Sequence, residues 1–264
     1  MPHLTVSFDD SIATIVLDRP PQNRIDGQMI DELAAAITAI EFSDARAVLV
    51  RSEGDNFSFG GDIMNWPDAS ASARELRALF GHYMSVFNRF ERIPLPVIAA
   101  VQGLCLGGGF ELALRADVIF AAELATFGHP EQTLGIVTLL GGVYRVAERA
   151  GRSRASEWAM TSSRVPATTM EHFGVVNRVV ADVALLTEAR AFALNVAHGP
   201  TRAYAAHKAL LRAWAVGGVS AADEAMFDIA MPLFETDDVQ RGLHSAVDAL
   251  KAGLPRPVLD FNGR

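Results

Sequence analysis

The sequence predicts a mixed α/β fold with a helical C-terminal appendage, and three observations carry that expectation. Short β-branched runs alternate with amphipathic helical runs through the first half of the chain. Strand, turn, helix and strand recur in units of roughly 40–50 residues, a cadence that implies crossover helices and a sheet that is parallel in part. From about residue 182 onward no strand-like run survives, and helical segments follow one another through Leu250. The expected division is a core over residues 1–181 and a helical region over residues 182–264.

Leu4 to Phe8 and Ile12 to Asp18 read as a hairpin around Asp9-Asp10-Ser11. The prolines at 20 and 21 break the sheet, because neither offers a ladder donor. Met29, Ile30, Leu33, Ile37 and Ile40 recur at helical spacing, and Ala47 to Val50 returns to strand. Leu76, Leu79, Phe80, Tyr83, Met84, Phe87 and Phe90 define a long helix that stops before Pro94 and Pro96. Val97 to Val101 is a buried strand, a glycine run leads into a helix over Phe110 to Arg115, and Val118 to Ala121 is strand again. In the C-terminal part, Asp237-Asp238 and Arg241 read as an N-cap and a solvated face. Pro255 and Pro257 close the last helix and leave an extended tail.

A chain of 264 residues buries a sizeable core. It is 50% apolar and 20% charged, ordinary globular composition rather than that of a disordered tail. With 31 acidic against 23 basic side chains the net charge is −8, which argues against a nucleic-acid-binding surface. The single cysteine, Cys105, cannot form an intramolecular disulfide, fits a reducing compartment and reads as a small buried hydrophobe. No signal-peptide pattern opens the sequence. The most apolar stretch, Val97 to Leu114, is interrupted by Gln102, Glu111 and several glycines, so no membrane span is expected and a cytoplasmic location is the expectation.

The chemistry gathers at three glycine-rich turns: Phe59-Gly60-Gly61-Asp62, Gly107-Gly108-Gly109-Phe110-Glu111 and Phe127-Gly128-His129-Pro130-Glu131. Carboxylates move protons at neighbouring atoms, and backbone N–H groups free of a Cβ can approach an oxygen where negative charge grows. A helix starting at Gly107–Gly109 leaves unpaired N–H groups at its positive end; the same glycines also suit close helix–strand packing. Two N–H donors from different loops flank one oxygen better than one, which makes the Gly60-Gly61-Asp62-Ile63 turn the counterpart of the Gly107–Gly109 run; Gly61 by itself equally reads as part of a tight turn, and Asp62 reads as a helix cap. Glu131 lies between apolar segments, where a carboxylate pKa rises toward the range useful for proton transfer; an exposed loop acid is the other reading. Two glutamates sharing a cavity titrate as a pair.

The histidines, at 3, 82, 129, 172, 198, 207 and 244, show no metal-ligand spacing, so no metal is expected; only His129, beside Glu131, is placed to line a pocket. No Gly-x-Ser-x-Gly elbow is present, and the glycine run matches neither the P-loop nor the dinucleotide fingerprint.

Taken in order, these segments resemble the enoyl-CoA hydratase/isomerase, or crotonase, superfamily. The resemblance runs from Leu17-Asp18-Arg19-Pro20 with Asn23, through Phe57 to Ile63, Pro96 to Gly103 and Leu106 to Asp117, to Phe127 to Glu131, Gly141-Gly142 and Phe173 to Val180. It implies an α/β spiral of repeated β-β-α units, a helical C-terminal trimerisation region that assembles homotrimers or hexamers, and an acyl-CoA thioester as substrate, with no other cofactor. Matching positions give Gly61 and Gly108 the oxyanion-hole roles and make Glu111 and Glu131 the two catalytic glutamates of hydratases. Phe59 and Ile63 would border the CoA path. The reaction implied is syn addition of water to a 2-trans-enoyl-CoA, giving a 3-hydroxyacyl-CoA in fatty acid metabolism.

Two segments depart from the family pattern. After Gly135 the family usually reads Leu-Pro-Gly-Ala-Gly-Gly, whereas this chain reads Ile136-Val137-Thr138-Leu139-Leu140-Gly141-Gly142, so Leu139 stands where a glycine amide helps hold the catalytic water. Arg24 stands where a small residue is common, either meeting CoA phosphates or simply exposed. Lys251 reads as a surface lysine or a further CoA contact. Three readings therefore stand beside one another: a hydratase, an isomerase or other CoA-thioester enzyme in which Glu131 dominates, and a non-catalytic acyl-CoA-binding protein. The helix over Arg74 to Phe90 and the Thr138–Leu140 loop would shape the acyl pocket.

Overall fold

The computed structural model of the chain describes residues 1–67 and 71–263. β1 (Leu4–Asp9) and β2 (Ile12–Leu17) form the expected hairpin, paired antiparallel from Leu4 opposite Leu17 to Asp9 opposite Ile12. α1 (Gly27–Glu41) starts on Asp26, whose carboxylate accepts the Met29 amide, and buries Met29, Ile30, Leu33, Ile37 and Ile40, the face the spacing predicts. β3 (Ala47–Ser52) follows, then α2 (Ala73–Glu91), opened by a capping box between Ser72 and Glu75.

Next come β4 (Val97–Val101), β5 (Leu104–Leu106), α3 (Gly108–Ala113), β6 (Val118–Ala122) and β7 (Thr126–Gly128). α3 begins at Gly108, two residues before the expected Phe110, and leaves Arg115 beyond its end. α4 (Gly142–Ala150), α5 (Arg152–Thr161), β8 (Val165–Pro166), α6 (Ala167–His172) and β9 (Arg178–Val180) complete the α/β part.

One sheet has the order β1-β2-β3-β4-β6-β9, parallel everywhere except at the hairpin. β3 and β4 read as continuous apolar runs because the sheet is covered by helices; α7 (Leu185–Ala197) packs on β3, β4 and β6. A second sheet, β5-β7-β8, was not visible in the sequence, since strands of two or three residues carry no periodicity. Bridges from Ser58 to Cys105 and from Ile25 to Gly61 extend its neighbourhood toward the first glycine turn. Cys105 is fully buried in β5, and burial pushes its thiol pKa well up.

From residue 185 to 252 the chain is α7, α8 (Thr201–Ala230) and α9 (Asp237–Ala252), joined by short turns. α8 breaks at Gly217–Gly218, where Gly218 takes φ 71°. Lys208 on α8 donates to Asp117 Oδ2 at 2.7 Å and to the Leu95 carbonyl at 2.9 Å, fastening the helix to the end of β4.

The expected reading of Asp237-Asp238 needs correction. The α9 N-cap is Thr236, and Asp238 is buried, its carboxylate accepting the Asn262 and Gly263 amides at 2.7 Å each. Arg46 completes the anchor by donating to the Phe261 and Gly199 carbonyls. The tail is therefore extended but docked. Asp238→Ala should leave those two amides without their acceptor and weaken the tail anchor by roughly 1–3 kcal/mol. Hydrogen exchange should then speed up at Asn262 and Gly263 while β3 and β4 stay protected; unchanged exchange would contradict the anchoring role.

Candidate active site

The site forms where the first two glycine turns meet. Ile25 donates to the Gly60 carbonyl at 2.9 Å and accepts from the Asp62 amide at 2.8 Å, fixing the Gly60-Gly61 turn at the end of the parallel core. Asp62 caps the one-turn helix Ile63–Asn65 as expected, accepting from Met64 and Asn65, and is also paired with Arg19 at 2.7 Å. That pairing and those hydrogen bonds outweigh its burial and hold its carboxyl below the usual range.

A Cβ on Gly60 would stand 2.8 Å from the Leu106 carbonyl oxygen and 2.9 Å from the Gly108 nitrogen, so only glycine allows the turns to touch. The Gly61 nitrogen lies within 3.6 Å of the place a Cβ on Gly108 would take. Neither the Gly61 nor the Gly108 amide has an acceptor among the described residues. Two unpaired N–H groups thus lie side by side on the wall of a cavity of about 170 Å³.

Glu111 and Glu131 line the same cavity. Glu111, on α3, is buried, and its Oε1 accepts the Leu140 amide at 2.8 Å and the Gly142 amide at 2.9 Å. Burial, reinforced by the nearby Glu131 charge, raises its pKa to about 7 against the pull of those two amides and of Arg115. Glu131 opens the turn Glu131–Leu134 after β7, with a side chain only 13% exposed, so it is not a free loop acid. Burial raises its pKa too. Its Oε1 faces Gly107, where a Cβ would stand 3.1 Å away, and its buried Oε2 has no hydrogen-bond partner among the described residues.

His129 is buried behind Glu131, stacked on Phe110 at 4.8 Å, with its Nδ1 3.9 Å from Glu131 Oε2. Burial drops its pKa to about 4, so the ring is neutral near pH 7 and offers Glu131 no counter-charge. Gly142 makes this packing possible: a Cβ there would come 2.3 Å from His129 Cε1 and 2.9 Å from Glu111 Cγ.

Around these polar groups the walls are apolar. Ile25, Phe59, Trp66, Phe80, Tyr83, Ile136, Leu139 and Leu140 supply them. Trp66 and Phe80 meet edge to face at 5.2 Å. Trp66 was not singled out by sequence reasoning, although an aromatic five residues beyond a Gly-Gly turn was the available signal. Ile63 lies at the exposed rim, and Arg24 stands beside it over the Phe59 ring at 5.8 Å, its Nε donating to Gln22. Lys251 is exposed in the last turn of α9. Leu139 does line the cavity, but the amides that hold Glu111 belong to Leu140 and Gly142, not to it.

The described residues contain no cluster of His, Cys, Asp and Glu side chains able to hold a metal ion, and no helix long and apolar enough to cross a membrane.

The chain belongs to the enoyl-CoA hydratase/isomerase family, whose model matches residues 7–253. It is 35% identical over 215 residues to a carnitinyl-CoA dehydratase of Proteus mirabilis, covering 80% of both chains. It is 31% identical over 250 residues to a mevalonyl-coenzyme A hydratase of Beauveria bassiana, covering 90% of this chain and 84% of the relative. The fold superposes on a crystal structure of an enoyl-CoA hydratase from Bacillus anthracis with a TM-score of 0.87, 26% identity and coverage of 99% and 100% of the two chains. The chain has the crotonase fold.

The raised Glu111 pKa has a consequence for stability. Below pH 4.5 the carboxyl is protonated in both folded and unfolded chains; between 4.5 and about 7 only the folded chain holds the proton; above about 7 the buried charge carries its full cost. Glu111→Gln keeps an oxygen for the Leu140 and Gly142 amides and removes that charge. The variant should gain stability over wild type by roughly 3 kcal/mol as pH rises from 4.5 to above 7. Denaturant unfolding at a series of pH values measures this, and a pH-independent difference would contradict it.

Proposed function

We propose that this enzyme adds water across the double bond of a 2-trans-enoyl-CoA to give a 3-hydroxyacyl-CoA. One observation carries the reading: two unpaired amides and two carboxyl groups of raised pKa face a single apolar cavity. The amides of Gly61 and Gly108 hold the thioester oxygen, where negative charge accumulates as the enolate forms. Because they are fixed by the backbone before substrate arrives, they need no reorganisation during the reaction.

Hydration needs a base at the β-carbon and an acid at the α-carbon. Glu111 is poised to ionise near neutrality and is held rigidly by two amides, which suits it to orient and deprotonate water. Glu131, whose proton affinity burial raises, delivers the proton to the α-carbon. After addition Glu111 holds the proton taken from water and Glu131 has given one up, so the pair still carries a single proton, and exchange through the cavity or solvent moves it from Glu111 back to Glu131. Acyl chains lie along Phe80, Tyr83 and Leu139, while Phe59, Ile63 and Arg24 at the mouth face the CoA portion. A cavity of about 170 Å³ takes the acyl end of such a substrate and leaves the nucleotide outside. The relatives named for carnitinyl-CoA and mevalonyl-CoA support a CoA thioester as substrate.

The C-terminal helices fit an oligomer. α8 buries little beyond Thr201, and Leu211, Trp214, Val219, Phe227 and Phe234 are exposed along α8 and the turn after it. Large apolar side chains exposed in this number along the C-terminal helices suit burial against other subunits, here in a homotrimer or a hexamer built from two of them.

Loss of conjugated-thioester absorbance, followed over a panel of enoyl-CoA chain lengths, tests the activity. Glu111→Gln and Glu131→Gln should each slow hydration by about 10²–10⁴-fold. Double-bond isomerisation that survives Glu111→Gln while hydration was never present would replace this reading with an isomerase. Acyl-CoA binding without turnover at any length would leave a binding protein. Because the active pair carries one proton, the hydration rate should rise and then fall with pH, with one limb near the Glu111 value of about 7.

A further inference from the structure

A buried arginine donates a hydrogen bond to the 140–142 turn. Arg115, just past the end of α3, has a side chain completely shielded from solvent, an uncommon place for a guanidinium. Its Nη2 donates to the Leu140 carbonyl at 2.7 Å, and its Nη1 to Asn88 at 2.9 Å and to Glu91 at 3.0 Å. The cation also lies over the Phe87 ring at 5.3 Å. Glu91 is shared with Arg145 of α4, which binds it through Nε at 2.8 Å and Nη2 at 2.5 Å. Arg145 in turn donates to the Gly141 carbonyl at 3.1 Å.

Those two carbonyls flank the Glu111 donors. The Gly141 carbonyl belongs to the same peptide unit as the Gly142 N–H, so Arg145 pulls on one end of an amide whose other end holds Glu111. Arg115 fixes the next peptide back, between the Leu140 and Gly142 donors. Hydrogen bonds in such a chain polarise one another.

We propose that Arg115 is a positioning residue, which clamps the 140–142 turn through the Leu140 carbonyl so that two amides hold Glu111 in its working orientation and protonation state. Its direct role rests on the hydration reading only for the kinetic readout below. The charged and titratable groups facing Glu111 are Glu131 and Arg115, with His129 neutral beside them; those facing Arg115 are Glu91 from α2 and Arg145 and Tyr144 from α4. Arg115 stays protonated near neutrality, because burial lowers its pKa only to about 10.

The test compares Arg115→Met, which removes charge and donor, with Arg115→Lys, which keeps the charge but cannot span Leu140, Asn88 and Glu91 together. Carboxyl NMR of protein labelled at glutamate Cδ follows Glu111, its resonance assigned by disappearance in Glu111→Gln. Arg115→Met should move the Glu111 midpoint up by about one pH unit, and Arg115→Lys by about half that. In hydration, kcat should fall about tenfold in Arg115→Met with KM within about twofold, since the loss is in the step Glu111 performs. An unmoved midpoint in folded Arg115→Met overturns the inference, whatever happens to thermal stability. Should that variant not fold, Arg115→Lys decides: a shifted midpoint supports the clamp and an unshifted one overturns it. A shifted midpoint in a protein that hydrates no enoyl-CoA supports the clamp and removes only the hydratase reading.

Discussion

The close approach of two turns that carry no side chains is the constraint on which the site depends. The Gly60-Gly61 turn and the Gly107-Gly108 turn come from distant parts of the chain, one after β3 and one after β5, yet their backbones touch. Any Cβ at Gly60 would run into the Leu106 carbonyl and the Gly108 nitrogen. The parallel core sets that approach: β3, β4 and β6 end on the same side, and the bridges at Ile25–Gly61 and Ser58–Cys105 bring the loops following them into register. The nearby carbonyls of Gly60, Ile25 and Ser58 accept the Ile25, Asp62 and Leu106 amides, while the Gly61 and Gly108 amides have no acceptor among the described residues.

Placing two carboxyl groups next to those amides is costly. Burial disfavours both charges, and the Glu131 charge further disfavours that of Glu111. The fold offsets one of them: Glu111 receives two amides and an arginine in the background, whereas Glu131 Oε2 receives nothing from the described residues and His129 stays neutral beside it. The two carboxyl groups thus meet different surroundings within one cavity, which is how chemically identical groups come to differ in proton affinity.

The helical half answers a different demand. α7 completes the cover of the main sheet, while α8 and α9 hold to the core through few polar ties, at Lys208, Arg46 and Asp238. Their apolar residues look outward instead of inward. The break at Gly217–Gly218 interrupts the helical backbone of α8 near its middle.

Much of this was legible in the sequence. Long amphipathic segments such as Met29–Ile40 and Leu76–Phe90 announce their buried faces by spacing, because a helix lying on a core needs an apolar stripe whatever it touches. The family resemblance likewise followed from glycine turns whose order and separation are local properties of the chain. What sequence could not show depends on residues far apart: strands of two or three residues in the second sheet, Asp238 pinning the tail rather than facing solvent, Trp66 closing the cavity, and Arg115 and Glu91 supporting Glu111 through the Leu140 peptide. A buried charge or a free amide is defined by what surrounds it in three dimensions, and the surroundings of Glu111 come from α2, α3, α4 and the turn before α4 at once. Types of residue are written along the chain, but protonation and donor orientation are settled only by packing, since burial and partner distance have no one-dimensional signature.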